Sequence, residues 1–523
     1  MLTDTPAYPL WERIGVRHHH GIDVPLFSLH SEQSCGIGEF LDLIPMIDWC
    51  STIHFDIIQL LPLNDSGLDP SPYNALSAYA LNPIHLSLAA LPHLDRHPDL
   101  ISQIEQLHKL CEPQKIPYHQ VRDGKDNILR QYYNLEGQAI LSSHDFHRFV
   151  NGCPWLREYA LFKALKIQYG WISWEDWPEE FRHPTSMTMN TLYTHFSKEI
   201  DRHCVIQYLC CMQLESVKQH AAERGIFLMG DIPILISRDS ADVWLHGDLF
   251  NLDYAAGAPP DFYNADGQKW GFPLYRWDIM AQDGYRWWKD RLAFAGRFYH
   301  LYRIDHVIGF FRIWAVDHNA KTGKEGKFIP EDRSTWLAHG EKLLRMLLAS
   351  SSMLPVAEDL GDVPDVVRPC LQALGICGTK VMRWERRWKE DRGFISPEDY
   401  PVISMTTVST HDSETVSLWW KEHPDEAEEY AKHVGWFYTP VFSREYLREI
   451  LWDSHHTGSL LHVNLLQEYL ALVPGLTWTA LEDERINLPG VILESNWAYR
   501  FRPSVEEIAS NTALTSFMQS ILI

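Results

Sequence analysis

The sequence predicts an α/β fold, namely a (β/α)8 TIM barrel that carries large, mainly helical and irregular insertions. Three observations lead to this prediction. Eight short apolar runs end in polar or charged residues, and amphipathic segments separate several of these runs. The chain has 523 residues, well beyond the roughly 250 that such a barrel needs.

The candidate strands are short runs in which almost every residue is apolar. This pattern is typical of strands buried on both faces, as in a parallel sheet covered by helices. Strand, helix and strand in series imply right-handed parallel crossovers. The eight runs are Ile57–Pro62, Pro83–Leu88, Ile226–Leu235, His300–Asp305, Met353–Asp359, Gly378–Trp384, Ile403–Thr410 and Leu461–Leu466.

Helical patterns lie between several of these runs. Segment 205–225 is amphipathic and stops at Gly225, a residue suited to end a helix directly before a strand. Segment 334–351 has the same character and precedes the run that begins at Met353. Eight strands in such an alternation suggest a closed (β/α)8 barrel.

The excess length is assigned to insertions into the barrel. Residues 90–200 are expected to form a mainly helical subdomain, and residues 421–460 a second helical insertion. Residues 247–290 are rich in Gly, Pro, Asp and aromatic residues and are expected to form a further insertion. Because no internal repeat or low-complexity linker is present, residues 1–523 are expected to form one decorated catalytic domain.

Composition excludes several classes of partner. The formal net charge of -23 would repel a polyanion, so nucleic acid is not expected to bind. No run of about 18 apolar residues predicts a membrane span, and the N-terminus lacks the pattern of a secretory signal. Nine cysteines without a CxxC pair indicate reduced thiols, and hence a cytoplasmic location.

Aromatic residues are abundant, with 21 Trp, 22 Tyr and 22 Phe. Most are expected to pack in the core, because these rings bury large apolar areas. A surplus of Trp would also suit sugar rings, whose C–H faces lie flat on indole.

Three carboxylates follow candidate strands, which is where catalytic groups of a barrel lie. Asp305 ends one run, Glu358 ends the next, and Asp412 follows a third. Arg303 is two positions before Asp305, so on a strand both share one face. The guanidinium would keep Asp305 ionised and able to attack an anomeric carbon, whereas desolvation would raise the pKa of Glu358 and make it an acid.

Each signal has a simpler interpretation. Arg303 and Asp305 could form a structural ion pair, and Glu358 with its neighbour could cap a strand. In "STHD", Thr410 or Asp412 could supply the capping oxygen of a helix. The order of all three carboxylates along successive strands favours catalysis.

Several motifs resemble one known family. "RIDH", "VAEDLG" and "STHD" look like the catalytic motifs of 4-alpha-glucanotransferases, also called amylomaltases or disproportionating enzymes, which form glycoside hydrolase family 77 of the alpha-amylase clan. The resemblance spans nearly the whole chain. It includes "GIGEF", "QLLPLNDSG", "SPYNALSAYALNP", "GDIPI", "DSADVW", "APPDFYNADGQKWGFPLYRWD", "ERINLPG" and "NWAYRF".

The resemblance implies a role for each matching residue. Asp305 corresponds to the nucleophile, Glu358 to the general acid/base, and Asp412 to the carboxylate that stabilises the oxocarbenium-like transition state. The residues implied to bind substrate are Arg303, His411, Tyr73, Asp231 and Trp270.

The resemblance also identifies a lid and two departures. The segment Gly257–Gly271, with Phe262, Tyr263 and Trp270, would cover the cleft; alternatively it is a surface loop with buried aromatic anchors. "GTKVMRWERRW" is found in only a subset of the family, and Glu468 occupies a position where many relatives carry aspartate. Both departures are expected to affect acceptor or chain-length preference.

No metal or organic cofactor is expected. The three histidines His18–His20 are interpreted as a solvated N-terminal segment or a cloning residue, since adjacent histidines cannot all face one ion without a special loop. The acidic turns lack the full calcium-loop pattern.

The sequence therefore predicts a retaining 4-alpha-glucanotransferase acting on alpha-1,4-glucans and maltooligosaccharides, with glucose as an acceptor. The alternatives are a glucan hydrolase of the alpha-amylase type and a catalytically silent glucan-binding protein. Donor length, cyclic products and oligomeric state are left open.

Overall fold

Eight parallel strands close into a barrel in the computed structural model, which describes residues 2–260 and 265–523. Each strand pairs with the next one along the chain, and the last pairs with the first. The predicted TIM barrel is confirmed. The strands are β1 (His19–Val24), β2 (Ile57–Leu60), β3 (Phe227–Ile232), β4 (Leu301–Ile304), β5 (Leu354–Ala357), β6 (Cys377–Val381), β7 (Ser404–Thr407) and β8 (Leu461–Leu465).

Seven of the eight candidate runs overlap a barrel strand, and the prediction for Pro83–Leu88 is wrong. This run forms 3-10 turns at Pro83–His85 and Leu88–Ala90. The Asn82 side chain accepts a hydrogen bond from the Ile84 N–H and starts the first turn. The run is apolar because it packs in the core (Ile84 is 3% exposed), a property that strands and turns share.

The remaining strand is β1, and the interpretation of its histidines as solvated is wrong for His19 and His20. His19 is fully buried and bonds through Nδ1 to Asp56 Oδ2 at 2.8 Å, while His20 is half-buried. Gly21 lies so close to β2 that an added Cβ would approach the Ile57 carbonyl oxygen to 2.6 Å. The sequence "HHGIDV" therefore forms a barrel strand although half of its residues are polar.

Two buried cores position the barrel. The larger lies between strands and helices, and the smaller fills the N-terminal half of the lumen, where Trp11 closes the end and donates from its indole N–H to the Gly375 carbonyl at 2.8 Å. Every second strand residue faces the lumen. The strand residues of the smaller core are Ile57, Met229, Leu301, Leu354, Val356, Cys377, Met405, Leu461 and Val463.

Helices surround the barrel and fill most of the chain between strands. No helix in residues 2–260 or 265–523 is both long and apolar enough to cross a membrane. The α-helices are Tyr8–Ile14, Leu43–Thr52, Pro98–His108, Tyr118–Leu141, His144–Asn151, Leu156–Gln168, Glu179–Arg182, Ser186–His195, Ser197–Glu223, Ala241–Leu245, Trp277–Met280, Arg286–Ala295, Trp336–Ser350, Val367–Leu374, Val416–Glu422, Pro424–Val434, Arg444–His455, Leu466–Leu470, Val505–Ser510 and Thr512–Ile521.

Two small antiparallel sheets lie outside the barrel. One joins Gly326–Ile329, Ile313–Asp317, Tyr254–Ala258 and Gln268–Lys269 in that order. The other pairs Phe250–Asn251 with Leu274–Tyr275. The first sheet therefore links the segment after β3 to the segment that follows β4.

A cluster of imidazoles lies around the start of β1 and β8. His20 Nδ1 is 2.9 Å from His455 Nδ1, and His455 Nε2 is 2.6 Å from the Tyr469 hydroxyl. His462 donates from Nδ1 to the Ser454 carbonyl oxygen at 2.8 Å and stacks on His20 at 5.0 Å. Burial lowers the pKa of His20 to about 4 and that of His462 to about 3. These rings are therefore neutral in the folded protein at pH 7.

The neutral imidazoles predict a loss of stability in mild acid. As pH falls from about 6.5 towards about 4, the unfolded chain binds a proton at His20 and the folded chain does not. Each pKa unit of this difference corresponds to about 1.4 kcal/mol. We expect Tm to fall between pH 7 and pH 5, and to fall less steeply in His20→Asn. Thermal unfolding followed by circular dichroism at several pH values tests this.

His54→Asn is the matched control, because His54 is exposed and its φ of 63° suits asparagine. This variant should keep the wild-type dependence of Tm on pH. Equal slopes for His20→Asn and wild type would contradict the role assigned to His20.

Candidate active site

Side chains at the C-terminal ends of two neighbouring strands, β3 and β4, meet around one guanidinium. Arg303, on β4, donates from Nη1 to Asp231 Oδ2 on β3 at 2.6 Å and to Asp305 Oδ1 at 2.9 Å. Asp231 and Arg303 are register partners on these neighbouring strands. Arg303 is 8% exposed and Asp231 2%. The side chains of Arg303 and Asp305 do share one face, as their spacing predicts.

Tyr73 and His411 close the other side of this group. The Tyr73 hydroxyl donates to Asp231 Oδ2 at 2.8 Å and lies 3.0 Å from His411 Nε2. Because its one proton goes to Asp231, the hydroxyl accepts from His411 Nε2–H. The two rings stack with centroids 5.6 Å apart. His411 Nε2 is also 3.4 Å from Asp412 Oδ2, so this imidazole bridges Tyr73 and Asp412.

Main-chain N–H groups of the segment directly after β4 form hydrogen bonds to Glu358. The His306 N–H donates to Glu358 Oε2 at 2.8 Å, and the Val307 N–H donates to the Glu358 carbonyl oxygen at 3.1 Å. His306 adopts a left-handed conformation with φ of 50°, which turns the chain directly after Asp305. Glu358 therefore lies next to Asp305 on the adjoining strand.

Glu358 and Asp412 have opposite pKa shifts. Burial raises the pKa of Glu358 to about 7, with Arg303 opposing this rise and Asp305 adding to it. Partial desolvation alone would raise the pKa of Asp412, whose side chain is 45% exposed, but the charge and hydrogen bond of His411 and a hydrogen bond from Asn487 lower it to about 2. At neutral pH the site therefore combines a carboxyl group that can hold a proton with one that cannot.

The sequence patterns did not identify Asn487, and they singled out Glu468 without its structural role in the Asp412 loop. Asn487 Nδ2 donates to Asp412 Oδ1 at 2.7 Å. Glu468 Oε1 accepts from the Ser409 hydroxyl at 2.5 Å and from the Val416 N–H at 2.9 Å, so it joins both ends of the loop. Asn487 lies within the familiar motif "ERINLPG", which is the signal that could have identified it.

Trp270 lies beside the catalytic turn. Its ring centroid is 5.1 Å from that of His306 and the two rings are perpendicular. Its indole N–H donates to Gln268 Oε1 at 2.9 Å. Phe262 and Tyr263, which complete the expected lid, lie outside the described residues. Trp270 therefore contacts His306, the residue that directly follows Asp305 in the sequence.

One group in the described chain has the spacing of a metal site. It consists of Glu414, Glu422 and His423, whose ligand atoms all lie within 4.8 Å of one another. Glu414 already pairs with Arg485 at 3.0 Å and Arg383 at 3.3 Å. None of the clustered carboxylates Asp231, Asp305, Glu358 or Asp412 belongs to this group.

Comparison with known proteins agrees with this geometry. The family model for 4-alpha-glucanotransferase matches residues 24–506. A 4-alpha-glucanotransferase of Chlamydia caviae is 44% identical over 99% of this chain and 97% of its own length. The enzyme of the same name from Thermus thermophilus is 31% identical over 85% of this chain and 87% of its own.

Solved structures share the fold. The structure of an amylomaltase from Streptococcus agalactiae in complex with acarbose superimposes with a TM-score of 0.80, covers 97% of this chain and 98% of the other, and is 24% identical. The same barrel is therefore found with less than a quarter of the sequence retained. The family match along residues 24–506 and the 44% identity to the Chlamydia caviae enzyme show that the chain belongs to the 4-alpha-glucanotransferase family.

Proposed function

We propose that this protein transfers segments of alpha-1,4-glucan between maltooligosaccharide chains by a retaining, two-step displacement. The observation that carries the proposal is the pair Asp305 and Glu358, held side by side on neighbouring strands by Arg303 and the His306 N–H. Two carboxyl groups flanking one glycosidic bond are the machinery of retaining glycosidases.

In the first step, the Asp305 carboxylate attacks the anomeric carbon of the donor glucan. The glycosidic C–O bond breaks, and the proton of Glu358 goes to the oxygen of the departing reducing-end fragment. A covalent glycosyl ester on Asp305 results. Glu358 is suited to donate because burial raises its pKa to about 7.

In the second step, the 4-hydroxyl of another glucan attacks the same carbon. Glu358, now ionised, takes the hydroxyl proton, and the Asp305 carboxylate is released. Two inversions at one carbon retain the alpha configuration. Maltooligosaccharides and glucose are the proposed acceptors, and chains derived from glycogen or starch the proposed donors.

The remaining groups position the nucleophile and stabilise the transition state. Arg303 orients Asp305, and Asp231 with Tyr73 holds Arg303 from the opposite side. Asp412 stays ionised and would bind sugar hydroxyls while positive charge develops on the ring. His411 connects Asp412 with Tyr73 and would contact the same sugar.

We assign water exclusion to residues 247–290. Transfer requires that the ester on Asp305 last until a sugar acceptor arrives, so the cleft must be sheltered from water. Trp270, beside His306, supports this assignment, and Gly257–Gly271 is the proposed lid.

Residues 1–523 are proposed to act as one decorated domain, with residues 90–200 and 421–460 as helical insertions. Buried side chains from these segments, including Leu100 and Ala427, belong to the same apolar core as Ile22 of β1. A cytoplasmic location is also proposed. It is supported by nine cysteines that are all unpaired thiols, which suit a reducing compartment.

Maltotriose is the substrate that tests the proposal. Pure protein should convert it to glucose and a ladder of longer chains, with a nearly constant number of reducing ends. Asp305→Asn should lower this turnover on the order of a thousandfold or more, because the covalent step is lost. Chromatography of the products and a reducing-sugar assay measure both quantities.

Two outcomes would contradict the proposal. A steady rise in reducing ends would identify a hydrolase. Negligible turnover by the wild type, unchanged in Asp305→Asn, would identify a glucan-binding protein. Met187→Ala is the control variant. It should keep wild-type turnover, because Met187 is 78% exposed.

The shelter assigned to Trp270 gives a second prediction. In Trp270→Ala, the fraction of glycosyl ester that reacts with water should rise roughly threefold to tenfold, because an aromatic contact is worth about 0.5–1.5 kcal/mol. Trp270→Phe keeps a ring beside His306 and should lie close to wild type. The ratio of reducing ends formed to glucosyl units transferred measures the effect. An unchanged ratio in Trp270→Ala would exclude Trp270 from the lid.

A further inference from the structure

The residue that follows Glu358 points away from the cleft. Leu354 and Val356 of β5 belong to the smaller core in the lumen, whereas Ala357 belongs to the core between strands and helices. By the same alternation, Glu358 faces the mouth of the barrel and Asp359 faces the surrounding helices. Asp359 is 0% exposed and takes no part in the two-step reaction. A buried carboxylate thus lies directly behind the acid/base residue.

Two neighbouring elements hold the Asp359 carboxylate. Its Oδ1 accepts from the Thr379 N–H of β6 at 2.7 Å, and its Oδ2 accepts from Arg368 Nε at 2.8 Å. Arg368, on the helix Val367–Leu374, also donates from Nη2 to the Asp359 carbonyl oxygen at 3.3 Å. Lys380 Nζ lies 3.7 Å from Oδ2. Because a buried carboxylate is stable only with such partners, these contacts restrict Asp359 to one orientation.

The main chain of β6 fits closely against this carboxylate. A Cβ added at Gly378 would approach Asp359 Oδ1 to 2.7 Å, which is too short for a real contact. The Thr379 hydroxyl donates to the Ala357 carbonyl oxygen at 3.0 Å. The register pairing of β5 with β6 ends at Ala357 and Gly378. Side-chain hydrogen bonds of Asp359 and Thr379 therefore continue the connection between the strands beyond the end of the sheet.

Glu358 lies between two residues that are both anchored to Thr379, namely Ala357 and Asp359. On the β4 side, the Glu358 N–H donates to the Ile304 carbonyl oxygen at 3.0 Å, and the Glu358 carbonyl oxygen accepts from the turn that follows β4. Both neighbouring strands thus fix the main chain of Glu358. The direction in which its side chain leaves the strand is fixed with it.

We propose that Asp359 and Thr379 are positioning residues that keep the carboxyl group of Glu358 within reach of the glycosidic oxygen. They act through the main chain of Glu358 and touch neither substrate nor the reacting atoms. Proton transfer requires hydrogen-bond distance, and a displacement of about 1 Å costs on the order of a hundredfold in rate. The inference rests on the proposed function of the cleft.

The test compares a reaction that needs Glu358 with one that does not. Transfer from maltotriose needs Glu358 as an acid and then as a base. With alpha-maltotriosyl fluoride and azide, fluoride departs as an anion. Azide then attacks the anomeric carbon as an anion and releases the Asp305 carboxylate, so neither step transfers a proton. The ratio of the maltotriose rate to the fluoride–azide rate therefore reports the positioning of Glu358.

Thr379→Val matches threonine in shape and keeps the N–H that binds Asp359, but it removes the hydroxyl that binds Ala357. The ratio should fall about threefold to tenfold, the effect of one lost hydrogen bond. Thr379→Ser keeps the hydroxyl and should restore most of the ratio. Product chromatography and a fluoride electrode measure the two rates.

An unchanged ratio in Thr379→Val would overturn the inference. This includes an equal loss of both rates, which is the result that a purely structural role would give. Absence of transfer from maltotriose by the wild type would instead contradict the proposed function.

Arg368→Ala provides an independent variant, in which folding is not at risk because the Arg368 side chain is 49% exposed. It removes both hydrogen bonds from the helix to Asp359, and the ratio should fall about twofold to fivefold. Arg345→Ala, which removes a surface ion pair with Glu341, is the control and should keep the wild-type ratio. A wild-type ratio in Arg368→Ala would likewise overturn the inference, even where Thr379→Val does not fold.

Discussion

The site depends on the buried guanidinium of Arg303. Removing a cation from water is costly unless charge and hydrogen bonds compensate it, and here Asp231 and Asp305 supply both. The same contacts hold β3 against β4 and aim the Asp305 carboxylate. Loss of Arg303 would leave the buried Asp231 and the partly exposed Asp305 without their shared cation, so fold and chemistry are coupled at this position.

Neighbours, more than residue type, set the chemical properties of the carboxylates. Asp412 accepts from Asn487 and faces His411, and its pKa falls to about 2. Glu358 receives one main-chain N–H in a buried place, and its pKa rises to about 7. A parallel barrel allows the pKa values of its carboxylates to differ, because the carboxylates follow different strands and have different neighbours.

Prediction from sequence succeeded where the pattern was a direct consequence of burial. Apolar runs identified seven strands, and the residues after them identified Asp305, Glu358 and Asp412 as clustered groups. It failed at β1, whose lumen side carries Gly21 and Asp23 in place of bulky apolar residues. The prediction of a strand at Pro83–Leu88 failed because a buried turn is as apolar as a strand.

Sequence patterns could not predict contacts between distant segments, and the reason is physical. Asn487 bonds to Asp412 across 75 residues of chain, and a lone asparagine has no periodicity that marks its partner. The partner of Asp23 was hidden in the same way, because only the closed barrel brings Gln59 Nε2 to 2.9 Å from its carboxylate.

In the proposed reaction, Asp305 forms the covalent bond to the sugar while Glu358 donates and accepts the proton. The most direct measurement is mass spectrometry of Glu358→Gln incubated with alpha-maltotriosyl fluoride. Fluoride leaves without an acid, so the glycosyl ester should form and persist because glutamine cannot activate the acceptor. We expect one added maltotriosyl group on the peptide that contains Asp305. Fluoride release with no label, or with the label on another carboxylate, would contradict it.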